Sequence, residues 1–176
     1  MRKLLSLSVV IIAAAASTIA FAGEDKISLD AAPAAVQASI KKVVGAGKMG
    51  DVTKESEDGK TVYEAEFTLD KAEHSVKVSE SGDVLEEETE LDAPALPAAV
   101  TDAIKAKFAT GKIEDASLVK AGGKTFYEVG VEVGDEDHEI KIDAAGKIIE
   151  DKVEKDEDKK DDKDDKDEKH EGHEKK

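Results

Sequence analysis

Gly59–Phe67 reads GKTVYEAEF, and Gly123–Val131, sixty-four residues further on, reads GKTFYEVGV. Both stretches alternate. In the first, Tyr63, Ala65, Phe67 and Leu69 point one way and Glu64 and Glu66 the other; in the second, Tyr127, Val129, Val131 and Val133 oppose Glu128 and Glu132. A period of two marks a strand with one buried face and one wet face. The tyrosine therefore goes to the core side and the glutamate beside it to the outer side.

The match extends well beyond this phrase. With Ile27–Glu90 set against Leu91–Glu154 at a constant offset of 64 and no gap, 20 of the 64 positions are identical. A fixed period of this kind is the signature of internal duplication. Shared positions include Pro33 and Pro97, Ile40 and Ile104, Gly47 and Gly111, His74 and His138, and Gly82 and Gly146. Upstream of each strand phrase, PAAVQASIKKVV places Val36, Ile40, Val43 and Val44 on one helical face, and PAAVTDAIKAKF does the same for Val100, Ile104 and Phe108. Each helix opens at a proline, without a side-chain cap before it. Downstream, HSVKV and HEIKI alternate again, with Lys77 and Lys141 outward. Asp58–Gly59, Gly122–Gly123 and the turns around Gly82 and Gly146 are hairpin signals.

The predicted fold class is α+β, a tandem repeat of one helix packed on a four-stranded antiparallel sheet. Residues 23–90 form the first repeat and 91–154 the second, set side by side with limited freedom by the short linker LDAPAL at Leu91–Leu96, an arrangement that allows the two sheets to align into one extended concave surface. Residues 1–22 read as a secretory signal peptide: Arg2 and Lys3, an apolar stretch from Leu4 to Ala16, and small residues before a cleavage after Ala22. The expected location is periplasmic or secreted, with no membrane attachment once the signal is removed. Residues 155–176 carry almost only Lys, Asp, Glu and His, so they lack the apolar surface needed to offset ordering and are expected to be disordered.

The whole chain has a formal charge of -16, and loss of Arg2 and Lys3 makes the remainder more acidic still. Such a charge disfavours nucleic acid and anionic membranes and favours cationic partners. Cysteine is absent, so no disulfide contributes.

The helix phrase LPAAVTDAI at Leu96–Ile104, the strand phrase at Gly123–Val131 and DAAGKIIE at Asp143–Glu150 together resemble the PepSY-like family, also known as the beta-lactamase-inhibitor-like domain. The first copy follows the same pattern more loosely, with Ala32 in place of Leu96 and Ser79 in place of Asp143. The resemblance implies two tandem copies of a helix on a four-stranded antiparallel sheet in an exported bacterial protein. It also implies protein binding, since PepSY domains occur in protease propeptides and the inhibitor binds a beta-lactamase across its sheet. It supplies no catalytic residues and no cofactor.

No serine or cysteine nucleophile, phosphate-cradling loop or basic patch is evident in the residues, and no enzyme activity is expected. His74 and His138 share the parity of the apolar strand residues and are expected at the core edge, one per copy, too few for a four-ligand zinc site. The candidate binding surface is the outer sheet face, bearing Glu64, Glu66, Lys77, Glu128, Glu132 and Lys141. The expected function is a noncatalytic exported module that binds an unidentified protein or peptide and is inhibitory or regulatory toward a secreted enzyme. The alternative is a periplasmic protein that binds or buffers divalent cations weakly through its acidic surface and its tail, with His170 and His173 of HEGH as candidate ligands.

Overall fold

The computed structural model describes residues 25–57 and 59–154. Strand β1 (Asp25–Ile27) is followed by α1 (Ala34–Val44), then β2 (Lys48–Glu57), β3 (Lys60–Leu69), β4 (Ala72–Ser79) and β5 (Val84–Glu90). The second half runs α2 (Ala98–Lys107), β6 (Lys112–Ala121), β7 (Lys124–Val133), β8 (Glu136–Ile142) and β9 (Ile148–Glu154). One-turn 3-10 segments at Leu29–Ala31 and Ala93–Ala95 lead into the helices. Pro33 and Pro97 hold the N-cap positions without a side-chain bond, their fixed φ presetting the helical entry.

The expected pair of separate four-stranded sheets is not what forms. All nine strands belong to a single antiparallel sheet in the order of the chain, β1 to β9. The two halves fuse where Glu86–Glu90 of β5 pairs with Ser117–Ala121 of β6. The reason is physical: each half, folded alone, would leave a strand edge of unpaired N–H and C=O groups, and joining β5 to β6 satisfies both edges at once. The first half also gains a strand. β1 pairs with Val52–Lys54 in the register that Thr89–Leu91 holds on β6, shifted by 64 residues.

Both helices lie on the same face of the sheet. Residues directly opposite in neighbouring strands share a face, and the series His74, Thr89, Leu118, Tyr127 runs from one half into the other without a change of side. Val36, Ile40 and Val44 of α1 pack on Val52, Tyr63, Ala65, Phe67, Val76 and Val78. Val100 and Ile104 of α2 pack on Ala116, Val129, Val131, Ile140 and Ile142. Full burial of such side chains contributes about 1.5–3 kcal/mol each. The sheet is therefore one, while the apolar cores remain two.

The turn glycines fix how closely the helices approach. Gly82 and Gly146, at φ 91° and 82°, close the β4–β5 and β8–β9 hairpins directly beneath the helices. A Cβ on Gly146 would collide with the Ala99 carbonyl oxygen, and one on Gly82 would press on Ala35. Asp58, half of one expected turn, lies outside the described residues, as do the signal segment 1–22 and the tail 155–176 with His170 and His173. Among the described residues no helix is long and apolar enough to cross a membrane.

Candidate functional site

The helix-free face is built in rows across the strands. One row runs Thr53, Glu64, Lys77, Glu86 and Ala121; another runs Glu90, Ser117, Glu128, Lys141 and Glu150. The core of each row is Glu–Lys–Glu, and the two cores are the same positions displaced by 64 residues. A third row, Glu66, Ser75, Glu88, Val119 and Phe126, lies between them.

Of the six residues expected on an open surface, four are closed off from solvent: Glu64 is 6% exposed, Lys77 5%, Glu128 8% and Lys141 9%. Glu66 and Glu132, nearer the strand ends, are exposed. Both helices lie on the opposite face, and on the face of the buried four Val62, Val119 and Phe126 are buried with them. Lys77 Nζ donates to Glu57 Oε1 at 2.9 Å, and Lys141 Nζ stands 3.2 Å from Glu128 Oε1 and 4.1 Å from the centre of the Phe126 ring. These geometries suit an ion pair and a cation–π contact respectively.

Burial would lower the pKa of Lys77, but its hydrogen bond to Glu57 and the carboxylates of Glu64, Glu57 and Glu86 more than reverse this and raise it. The acids move the same way for different causes. Glu86 is pushed up to about 7, first by burial and then by Glu128, Glu88 and Glu64, against the opposing pull of Lys77. Glu88 rises through burial despite a hydrogen bond from Ser117. Burial together with Glu64 raises Glu55. Asp115 rises through burial, although the Gly130 N–H holds its charged form.

Toward the end of the sheet bearing the β3–β4 and β7–β8 turns, a cavity of about 750 Å³ is lined by eleven carboxylates, two histidines and no lysine or arginine. Glu66, Glu88, Glu90, Asp115, Glu128 and Glu132 contribute to it. Glu86, Glu88 and Glu90 had no place among the sequence candidates. The signal was present, since EEETE at Glu86–Glu90 puts a carboxylate at every second residue of a strand, but Glu87 between them conceals the alternation.

The histidines stand on the helix side. The His74 ring stacks on Phe67 with centres 5.0 Å apart, and its Nδ1 lies 3.0 Å from Thr89 Oγ1. His138 packs on Phe108 and places Nδ1 2.9 Å from Asp151 Oδ1. Asp151 is also paired with Lys107. Burial works against its charged form, but the bonds from Lys107 and His138 prevail and hold its pKa below the usual range. Among the described residues no group of three or more His, Cys, Asp or Glu is arranged to hold a metal ion.

Comparison with known proteins agrees with this architecture. No curated protein matches the chain. The fold is shared with a candidate periplasmic protein from Bacteroides eggerthii (20% identity, TM-score 0.60, 69% of this chain and 88% of the other). A DUF2874 family protein from Bacteroides uniformis (22%, 0.61, 69% and 89%) and a BLIP-like protein from Bacteroides fragilis (22%, 0.58, 69% and 86%) share it as well. The periplasmic or secreted location expected from residues 1–22 agrees with the periplasmic description of the Bacteroides eggerthii protein. Residues 97–152, from the start of α2 to near the end of β9, match the PepSY family model, described as the peptidase propeptide and YPEB domain.

Proposed function

We propose that this protein is a noncatalytic exported module that docks a cationic protein or peptide segment on the helix-free face of its sheet and thereby restrains or regulates a secreted enzyme. The observation that carries the reading is the cavity with its eleven carboxylates and no lysine or arginine. A lysine- or arginine-rich segment laid across it would exchange water for charge-assisted hydrogen bonds. The PepSY match and the BLIP-like neighbour support a binding role without catalysis. On this reading residues 25–90 are a diverged second PepSY copy, built into the common sheet; the 64-residue displacement of strands, glycines and Glu–Lys–Glu rows supports it.

Binding to a lysine-rich extended peptide, measured by calorimetry over a salt series, tests the idea. Glu66, Glu90 and Glu132 are exposed, so replacing all three by lysine should leave the circular dichroism spectrum unchanged and abolish the binding. Binding that survives the triple reversal would sink the proposal. Glu64 and Glu128 are unsuitable for the test because, being buried, their reversal would disturb the fold itself.

A further inference from the structure

The two edges of the sheet are not alike. At one, β1 covers part of β2. At the other, β9 pairs with β8 on its inner side and is the last strand of the sheet, so its outer edge has no neighbouring strand among the described residues. β9 is the counterpart of β5, displaced by 64 residues, and each carries a bulge near its start, with Ile149 and Leu85 as the extra residues opposite Lys141/Ile142 and Lys77/Val78. In β5 the bulge does not prevent the outer edge from accepting β6 over Glu86–Glu90. The equivalent stretch of β9, Glu150–Glu154, pairs with β8 in the same way and has no strand upon it among the described residues.

We infer that the β9 edge is a self-association surface, on which a second copy of this chain pairs its own β9 antiparallel about a two-fold axis at Asp151. The sequence of β9, IIEDKVE, is complementary to itself in that register. Glu150 meets Lys152 of the second copy, and Lys152 meets its Glu150. Ile149 comes alongside Val153 of the second copy, and these two residues, 55% and 44% exposed, are among the few large apolar side chains the protein leaves in water. Asp151 meets its own copy, but each carboxylate is already held by Lys107 and His138. Cross-strand apolar and opposite-charge pairs of this kind stabilise an antiparallel edge, and a two-fold axis makes every contact occur twice. Head-to-tail growth, with β9 on the β2 edge of another copy, would require the backbone groups of Thr53 and Lys54 that β1 already occupies. The closed pair is therefore favoured over a filament. It would set two carboxylate cavities on one continuous sheet, although it stands independently of what those cavities bind.

Sedimentation equilibrium of the full exported chain over a concentration series tests this. A reversible dimer is expected. Lys152→Glu and Glu150→Lys should each weaken it about tenfold, since both put like charges opposite one another in two symmetric places. An equimolar mixture of the two single variants should restore it as a heterodimer, because positions 150 and 152 then carry one sign in one chain and the opposite sign in the other; exchanging both residues in one chain would instead set position 150 against Lys141 with the same sign. Ile149→Lys with Val153→Lys should give a monomer with an unchanged circular dichroism spectrum, both positions being exposed already. A monomer at every concentration up to about 1 mM, the weak end of specific association, would overturn the inference. So would a dimer indifferent to the single charge reversals, or one that mixing the two single variants fails to restore.

Discussion

Replacing Glu86 by Gln should make the protein more stable at neutral pH and leave it unchanged in acid. In the folded state the Glu86 carboxyl titrates near 7, pushed there by burial and by the facing acids Glu128, Glu88 and Glu64 against the pull of Lys77. An unfolded glutamate titrates near 4.5. Between these values the folded state binds the proton and the unfolded state does not, so stability falls as pH rises through the window. Below 4.5 both states are protonated and the penalty is absent; above 7 it is fully present. At about 1.4 kcal/mol per pH decade the interval corresponds to about 3 kcal/mol. The part of the side chain that still faces water reduces this to about 2 kcal/mol. Gln carries the neutral shape at every pH, so Glu86→Gln should match the wild type near pH 4.5 and exceed it by about 2 kcal/mol at pH 8. For a domain of this size that is a rise of about 6–10 °C in Tm. Thermal melts of both proteins from pH 4.5 to 8 decide the matter. A difference that does not change with pH would refute the reasoning, because the penalty exists only while the Glu86 carboxyl is ionised.

Two further outcomes follow from the same geometry. Lys77→Met leaves Glu57, Glu64 and Glu86 clustered without their cation, and should cost about 3 kcal/mol at pH 8 and progressively less toward pH 4.5 as the acids take up protons; urea titrations at the two ends of the range measure it. Gly146→Ala combines an unfavourable φ of 82° with a collision against the Ala99 carbonyl, and should cost about 2–4 kcal/mol by urea denaturation, whereas Gly122→Ala, at φ 57° with open space around it, should cost about 1 kcal/mol.

The elements with a clean period were legible in the sequence. Val36 and Ile40 on α1, and the alternation through Tyr63, Ala65 and Phe67, put these residues in the core where the structure has them. Parity also moved the tyrosines away from the outer face and the glutamates onto it. Parity assigns a face but says nothing of what shields it, so the burial of Glu64, Lys77, Glu128 and Lys141 was not visible. The fusion into one sheet was hidden for a related reason. β5 reads VLEEETE, with acids on both faces, and its pairing with β6 is made by backbone groups that every residue carries. A strand edge has no composition of its own, and the 64-residue repeat that set out two four-stranded units is equally compatible with their fusion.

The acids that make the candidate surface attractive to a cation are the same ones that make the free protein less stable at neutral pH. Each carboxylate held close to others on the sheet raises the free energy of ionising its neighbours, and Glu86, pushed up first by burial and then by Glu128, Glu88 and Glu64, keeps its proton until about pH 7. A positive group arriving on this face favours the ionised form, so docking and proton release are linked, and the affinity should weaken as the pH falls through the same window in which the protein itself gains stability. The lysines set the limit of this arrangement. Lys77 and Lys141 neutralise the centre of each Glu–Lys–Glu row, where a charge without a partner would be most costly, whereas at the cavity toward the strand ends lysines meet the carboxylates only from outside the lining, as Lys26 meets Asp51 and Lys112 meets Glu114.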